Sequence, residues 1–232
     1  MFVCNYNVTM KKEKPHYLGH RKRLKERFVN NPSSLADYEI VELLLGYVVR
    51  GKDVKPQAKN ILAHVGGIQN IFKISDDIEG VGSETVLFFN IIKDLFRRCE
   101  YSNLRENETI LNSPTAVFKF LKFEVGFDDV EKLIAVFLDS KGRIKEYKVL
   151  SSGSVNESYF PPKELAKQAL VRDAVAVILA HNHPSGNLKP SQSDIRYTKN
   201  VKNALELVDI ALVDHIIVTK NGFLSFKQEE LL

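Results

Sequence analysis

Hydrophobic positions fall into two patterns along this chain. From residue 16 to residue 98 they recur at helical spacing. Ile40, Leu43, Leu44 and Tyr47 share one face of a helix predicted over Ala36–Val48. His20–Phe28 reads as a basic helix, and Asn31–Ser34, with Pro32, reads as a turn. Gly51–Lys55 breaks the second helix. Pro56–Val65 forms a third, with proline suited to a first turn and Gly66-Gly67 as its stop. Ile68–Ile74 is a short further turn of helix. Gly80-Val81-Gly82 is a tight turn, and Glu84–Arg98 is a strongly apolar helix. Polar Tyr101–Asn112 predicts a linker.

Beyond it the pattern changes. Ser113-Pro114 opens a helix through about Lys122. Leu133–Leu138 reads as a buried strand, Asp139–Gly142 as a hairpin turn and Arg143–Leu150 as the partner strand. Ser151–Phe160 is a loop and Pro162–Val171 a helix. Ala174–Ala180 is a continuous apolar strand, covered on both faces. Ser191–Leu207 is a helix, and Ile210–Val218 and Phe223–Phe226 are strands joined by Lys220-Asn221-Gly222. The expected class is α/β (α+β), with a tail (1–15), a helical domain (16–100), a linker (101–112) and a mixed-sheet domain (113–232).

Composition narrows this little. Of 232 residues, 44% are hydrophobic and 27% charged, which suits a folded domain and argues against disorder. No apolar run reaches the roughly 18 residues that a membrane span needs, and the N-terminus lacks a secretory core, so a cytoplasmic location is expected. Cys4 and Cys99 lack paired spacing and read as reduced thiols. The net charge of +4 lies wholly in residues 1–100, with 16 Lys+Arg against 12 Asp+Glu, concentrated between Lys11 and Arg27. That permits a phosphate-bearing partner and equally fits a solvated helix face.

The chemistry concentrates after the strand Ala174–Ala180, in His181-Asn182-His183-Pro184-Ser185-Gly186. Residues i and i+2 of an extended chain point to one side, so His181 and His183 can offer nitrogens to one ion. Pro184 keeps His183 out of helical conformation. Asp194 follows in the first turn of a helix, where a carboxylate is favoured. Two imidazoles and a carboxylate suit zinc with a fourth position left for water, whose pKa falls to roughly 7. A second account needs no metal: the histidines bond backbone carbonyls, and Ser191-x-x-Asp194 is a capping box.

His181-x-His183-Pro184, six residues, then Ser191-x-x-Asp194 resembles the zinc motif of the JAMM (MPN-plus) metalloproteases at every fixed position. The longer His-Asn-His-Pro-Ser-Gly string, Pro190-Ser191 and Asp214-His215-Ile216 resemble the RadC branch. So do His16-Tyr17-Leu18-Gly19-His20-Arg21 and the Gly80-Val81-Gly82 turn. The resemblance runs from about residue 16 to the C-terminus. It implies a C-terminal JAB/MPN, cytidine-deaminase-like domain holding one zinc ion on His181, His183 and Asp194, and a zinc metalloprotease acting on a peptide or protein substrate. It also implies a glutamate base just ahead of the first core strand, where Glu131 stands; Glu157 and Glu164 are alternatives. Ser191 is implied as hydrogen-bond donor to the oxyanion, with plain helix capping as its other reading. Ser185-Gly186 is expected to shape the loop. Asp214-His215 is a candidate to support the ligands, or merely to end a strand pair. His16, His20 and His64 read as helix residues without partners. One departure stands out: RadC sequences usually place His-Pro-Arg-Glu where this chain has Pro161-Pro162-Lys163-Glu164.

Gly80-Val81-Gly82 resembles a helix-hairpin-helix turn, whose amides can meet a phosphate, although Ser83-Glu84 follows where a basic residue would help. Two functions are therefore expected. One is a zinc-dependent peptide or isopeptide hydrolase. The other, which the RadC resemblance implies, is a DNA repair or recombination accessory protein that binds DNA through residues 16–98.

Overall fold

The computed structural model of the chain describes residues 16–106, 113–153 and 160–232. Its packing forms two compact units, residues 1–88 and 89–232.

The first unit is helical. It holds α1 (His16–Asn30), α2 (Asp37–Val48) and α3 (Lys55–Val65), and α2 packs on both neighbours. The helical spacing of the apolar positions buries Leu24, Val41, Leu45, Ala58 and Ile61. Glu39 ties two elements together. One of its oxygens accepts the Ala36 N–H at 3.0 Å, at the start of α2, and the carboxylate also takes two bonds from Arg27 of α1. Gly66, at φ 76°, ends α3 where the sequence expects. Gly80 has φ 82°, a conformation that favours glycine. Two α3 side chains brace that turn: Gln57 donates to the Gly80 carbonyl at 2.6 Å and Asn60 to that of Glu79 at 3.1 Å. His20 and His64 do have carboxylate neighbours, Glu42 at 2.9 Å and Asp77 at 3.8 Å, contrary to expectation. Helix periodicity does not show which side chains meet across α1 and α2.

The second unit contains α5 (Pro114–Glu124), α6 (Pro162–Val171) and α7 (Gln192–Glu206) around five strands. These are β1 (Lys132–Leu138), β2 (Ile144–Ser152), β3 (Ala176–Asn182), β4 (Ala211–Val218) and β5 (Phe223–Ser225), in the order β2-β1-β3-β4-β5. Only β3 and β4 run parallel. The whole is of the α+β class.

Strand alternation sends side chains to two cores. Ile134, Val136, Ala176, Ile178 and Ala180 pack with Val117, Phe120 and Leu121 of α5. Leu133, Ala135, Phe137, Val177 and Leu179 pack with Leu165 and Ala169 of α6 and Val201 and Leu205 of α7. Both faces of β1 and β3 are thus covered, as their unbroken apolar runs require.

Two expectations are corrected. Helix α4 (Ser83–Glu106) does not stop near Arg98, so residues 101–106 of the expected linker are helical. The extra turn has apolar work to do: Tyr101 lies 5.3 Å from the Phe120 ring and 5.2 Å from that of Tyr147, and Leu104 is buried in the α5 core. The apolar strand is also displaced. It spans Ala176–Asn182 because β1 and β4 pair with it through Leu133↔His181 and Asn182↔Val218. His181 therefore lies inside the sheet and not beyond it. Cys99 is unpaired and exposed; Cys4 and His16-side-chain contacts lie outside what is described. Among the described residues, no helix is long and apolar enough to cross a membrane.

Candidate metal centre

The last residues of β3, the start of α7 and the segment ahead of β1 converge. Ligand-capable atoms of Glu131, His181, His183 and Asp194 all lie within 4.8 Å of one another. His181 Nε2 is 2.9 Å from His183 Nε2 and 3.6 Å from Asp194 Oδ1, and His183 Nε2 is 3.8 Å from Asp194 Oδ2. Two ligands of one zinc ion stand at most about 4.4 Å apart, since each bond is about 2.0–2.2 Å. All three separations satisfy that limit. The four residues are compatible with a metal ion.

Local structure aims each side chain. His181 is held by the ladders on both sides of β3. His183 continues the strand, with its N–H on the Val218 carbonyl at 2.9 Å. Its Nδ1 donates to the Asn187 carbonyl at 2.6 Å. The loop between is knitted by Ser185, whose hydroxyl accepts the Asn187 N–H, and by a turn at Gly186 with φ 81°. Ser185-Gly186 shapes the loop as expected. Ser191 caps α7: its hydroxyl accepts the Asp194 N–H at 3.1 Å, and its own N–H and O–H both reach Asp194 Oδ2 at 2.7 Å. The capping box and the metal-ligand geometry, alternatives in the sequence, coexist on Asp194: Oδ2 serves the cap and Oδ1 faces His181.

Glu131 is placed by Asn182, the residue between the two histidines. The Asn182 amide accepts the Lys132 N–H at 2.7 Å and donates to the Val130 carbonyl at 3.1 Å, bracketing Glu131. Glu131 Oε1 then lies 3.9 Å from His181 Nε2. Glu164 is elsewhere, in the first turn of α6 beside Lys167. Glu157 lies outside the described residues. Asp214 and His215 part ways. Asp214 accepts from the His215 and Lys227 N–H groups and the Ser225 hydroxyl, pinning β4 to the chain after β5. His215 reaches the cluster, with Nε2 2.8 Å from His181 Nδ1. Sequence reasoning missed Asn182, Thr198 and the Asn187 carbonyl. For Asn182 and Thr198 the available signal was a polar residue within a buried apolar pattern.

Electrostatics agree with a cation site. Burial, reinforced by His183 and opposed by Asp194, pushes His181 down to about 4, so it is neutral at pH 7. Burial likewise drives His215 well below the usual histidine value. Burial would raise Asp194, but His181, the Ser191 bonds and His183 outweigh it and hold the carboxyl below its ordinary value. Glu131 is raised, by burial above all and by Asp194, against the pull of His183.

Donor counting decides where the lone pairs point. The Thr198 hydroxyl has one proton, and it goes to the Asp194 carbonyl at 2.6 Å, a group that can only accept. Thr198 Oγ1 therefore accepts from His215 Nδ1, 2.6 Å away. Neutral His215 is left with a bare Nε2, which accepts the His181 Nδ1 proton. His181 Nε2 is consequently bare, and His183, whose Nδ1 proton goes to the Asn187 carbonyl, presents a second bare Nε2 in its singly protonated form. Two lone pairs 2.9 Å apart repel unless a cation lies between them. A proton answers one contact; a divalent ion answers both nitrogens and both carboxylates.

The comparisons with known proteins fall on the same segment. Residues 111–231 match the model of the RadC-like JAB domain. The chain belongs to the RadC family. It is also 36% identical over 225 residues to a UPF0758 protein of Fusobacterium nucleatum, covering 92% of this chain and 97% of that one. The RadC-like JAB match contains every residue of the cluster. The likeness to the Fusobacterium protein extends across the helical unit as well.

Proposed function

We propose that this RadC family chain is a zinc-dependent hydrolase that holds one ion on His181, His183 and Asp194 and cleaves peptide or isopeptide bonds. The observation that carries the reading is the convergence of four ligand-capable side chains, with the two imidazole Nε2 atoms 2.9 Å apart and flanked by two carboxylates. Zinc supplies a Lewis acid and a water acidified to roughly pKa 7. Its preference for nitrogen and oxygen donors in a four-coordinate shell fits two imidazoles and one carboxylate with one position open. The motif resemblance supplies the bond class.

The protein's own groups would then divide the work. Glu131 is the proton acceptor: its carboxyl is raised above the usual range and faces the ligand atoms from the β1 side. Asp194 balances charge and orients through its cap. Ser191 already gives its hydroxyl proton to Asp194 Oδ2. To stabilise an oxyanion it must exchange that bond for one to substrate.

The deciding experiment joins metal analysis to a peptidase screen of wild type and His181→Ala. The reading expects about one zinc per chain, hydrolysis abolished by chelators, and loss of both in the variant. Absence of zinc from the purified and the zinc-reconstituted protein would sink it.

DNA binding through residues 16–98 is the second reading. It draws on Lys22, Arg23 and Lys25, which are exposed on α1. Arg21 and Arg27 are committed internally, Arg21 to the Gly46 and Lys52 carbonyls and Arg27 to Glu39. Neutralising Lys22, Arg23 and Lys25 together should therefore weaken duplex or branched DNA binding and flatten its salt dependence while leaving the fold intact. Unchanged affinity counts against this reading.

A further inference from the structure

The proposed ligands do not account for a deeply buried polar chain beside them. It runs from the Asp194 carbonyl through Thr198 and His215 to His181, over three contacts of 2.6, 2.6 and 2.8 Å. Thr198 and His215 are 2% and 1% exposed. Neither side chain is open to bulk solvent. The chain also crosses between elements distant in sequence, from α7 to β4 to β3.

We infer that His215 is a positioning residue for the metal centre and that Thr198 acts through it, by dictating which His215 nitrogen carries the proton. This rests on the reading of His181 as a ligand. The direction of the chain is set at one end by a group without choice. A carbonyl cannot donate, so Thr198 must donate to it and accept from His215 Nδ1. His215 Nε2 then has no proton and must accept from His181. The outcome is delivered two residues away: His181 keeps its proton on Nδ1 and turns a bare Nε2 toward His183 and Asp194. Reverse the His215 tautomer and the same geometry presents Nε2–H to His181. His181 would then have to accept at Nδ1 and carry its proton on Nε2, where no metal can bind.

The surroundings hold this arrangement rigid. The Phe226 ring stacks on His215, with centroids 4.6 Å apart and planes 28° from parallel. The backbone of His215 is fixed on both sides, its N–H on Asp214 Oδ1 at 2.8 Å and its carbonyl on the Phe226 N–H at 2.9 Å. Thr198 lies one helical turn after Asp194, so the residue that bonds the relay also reads the position of the carboxylate ligand's own backbone. One ligand is thereby registered against another without touching it. An acceptor that is a neutral imidazole, where a carboxylate is the frequent alternative, also leaves His181 without added negative charge.

The test uses the full chain and two readouts. In metal-free, nitrogen-15-labelled protein, long-range proton–nitrogen correlation spectra report the protonated nitrogen of each buried imidazole. The expected pattern is protonated Nδ1 and bare Nε2 on both His181 and His215. Zinc affinity is then measured by competition with a chromophoric chelator. Thr198→Val removes the hydroxyl at almost constant volume and should weaken zinc binding by about 10- to 100-fold, with the His181 and His215 nitrogen signals changing together. Thr198→Ser keeps the hydroxyl and should restore both. His215→Phe should resemble Thr198→Val, and His215→Gln, which can still accept near the Nε2 position, should recover part of the affinity. Thermal unfolding in excess chelator separates weakened binding from a weakened fold. Wild-type zinc affinity in Thr198→Val, or a protonated His181 Nε2 in the metal-free wild type, overturns the inference while leaving the ligand assignment intact. Failure of wild type to take up zinc, with the expected tautomers present, overturns the ligand reading, and the role of His215 falls with it.

Discussion

Among the described residues, a histidine stands beside a buried carboxylate in both units, with opposite results. In the helical unit His20 Nε2 lies 2.9 Å from Glu42 Oε1, yet Glu42 Oε2 is buried without a hydrogen-bond partner among the described residues. Burial raises the Glu42 carboxyl despite His20. In the sheet unit Asp194 is more deeply buried than Glu42, and its carboxyl is nonetheless held below the ordinary value. The residue types match; the supply of donors does not. Asp194 receives the N–H and O–H of Ser191 in addition to facing two imidazoles. A buried ion pair alone barely offsets its desolvation. A carboxylate that remains charged needs fixed dipoles around it, and those are what a cation site also requires.

The largest effects should separate the two pairs by their metal content. His183→Ala is expected to abolish stoichiometric zinc, and His20→Ala to leave it unchanged, as read by elemental analysis after gel filtration. Zinc retained by His183→Ala breaks the comparison. Next, Glu131→Gln should slow hydrolysis by about 10²- to 10⁴-fold while zinc content stays at wild type. A parallel fall in zinc would make Glu131 a ligand and not a base.

The pH dependence of stability sharpens the contrast further. In chelator-treated protein, His181 and His215 are neutral when folded, their values lowered by burial. Below the ordinary value of 6.5 the unfolded chain takes up protons that folded His181 refuses until about pH 4. Stability should therefore be complete above pH 6.5 and fall by a few kcal/mol as pH drops toward 4, measured by urea unfolding. Flat stability across that window contradicts the burial of neutral imidazoles. The smallest effect belongs to the cap: Ser191→Ala should cost about 1 kcal/mol of stability, visible as a shift in the denaturation midpoint without a change in slope.

What could be read from the sequence was local. The two-residue period of a strand and the three-residue reach of a helix cap bring the candidate triplet together but fit plain capping equally well, and the motif resemblance singles out the metal reading. Glu131 is what the resemblance implies, since it places a glutamate ahead of the first core strand. The bond between Thr198 and His215 was illegible because it depends on how β4 meets α7, which no spacing records. The length of α4 was hidden for the same reason. Tyr101 looks polar among Asn and Glu neighbours, and only its rings' contact with Phe120 and Tyr147, far along the chain, shows the apolar face it completes.

The amide of Asn182 ties the backbone on both sides of Glu131 to the strand that bears both histidines. Its bonds work as a caliper. The gap between the Glu131 carboxylate and the His181 imidazole is set inside the sheet, by a side chain that is 1% exposed. The surrounding loops can therefore change length or composition, and with them the shape offered to a substrate, while that gap keeps its setting. If the chain is the hydrolase proposed above, choice of substrate and spacing of the reacting groups would be mechanically separate.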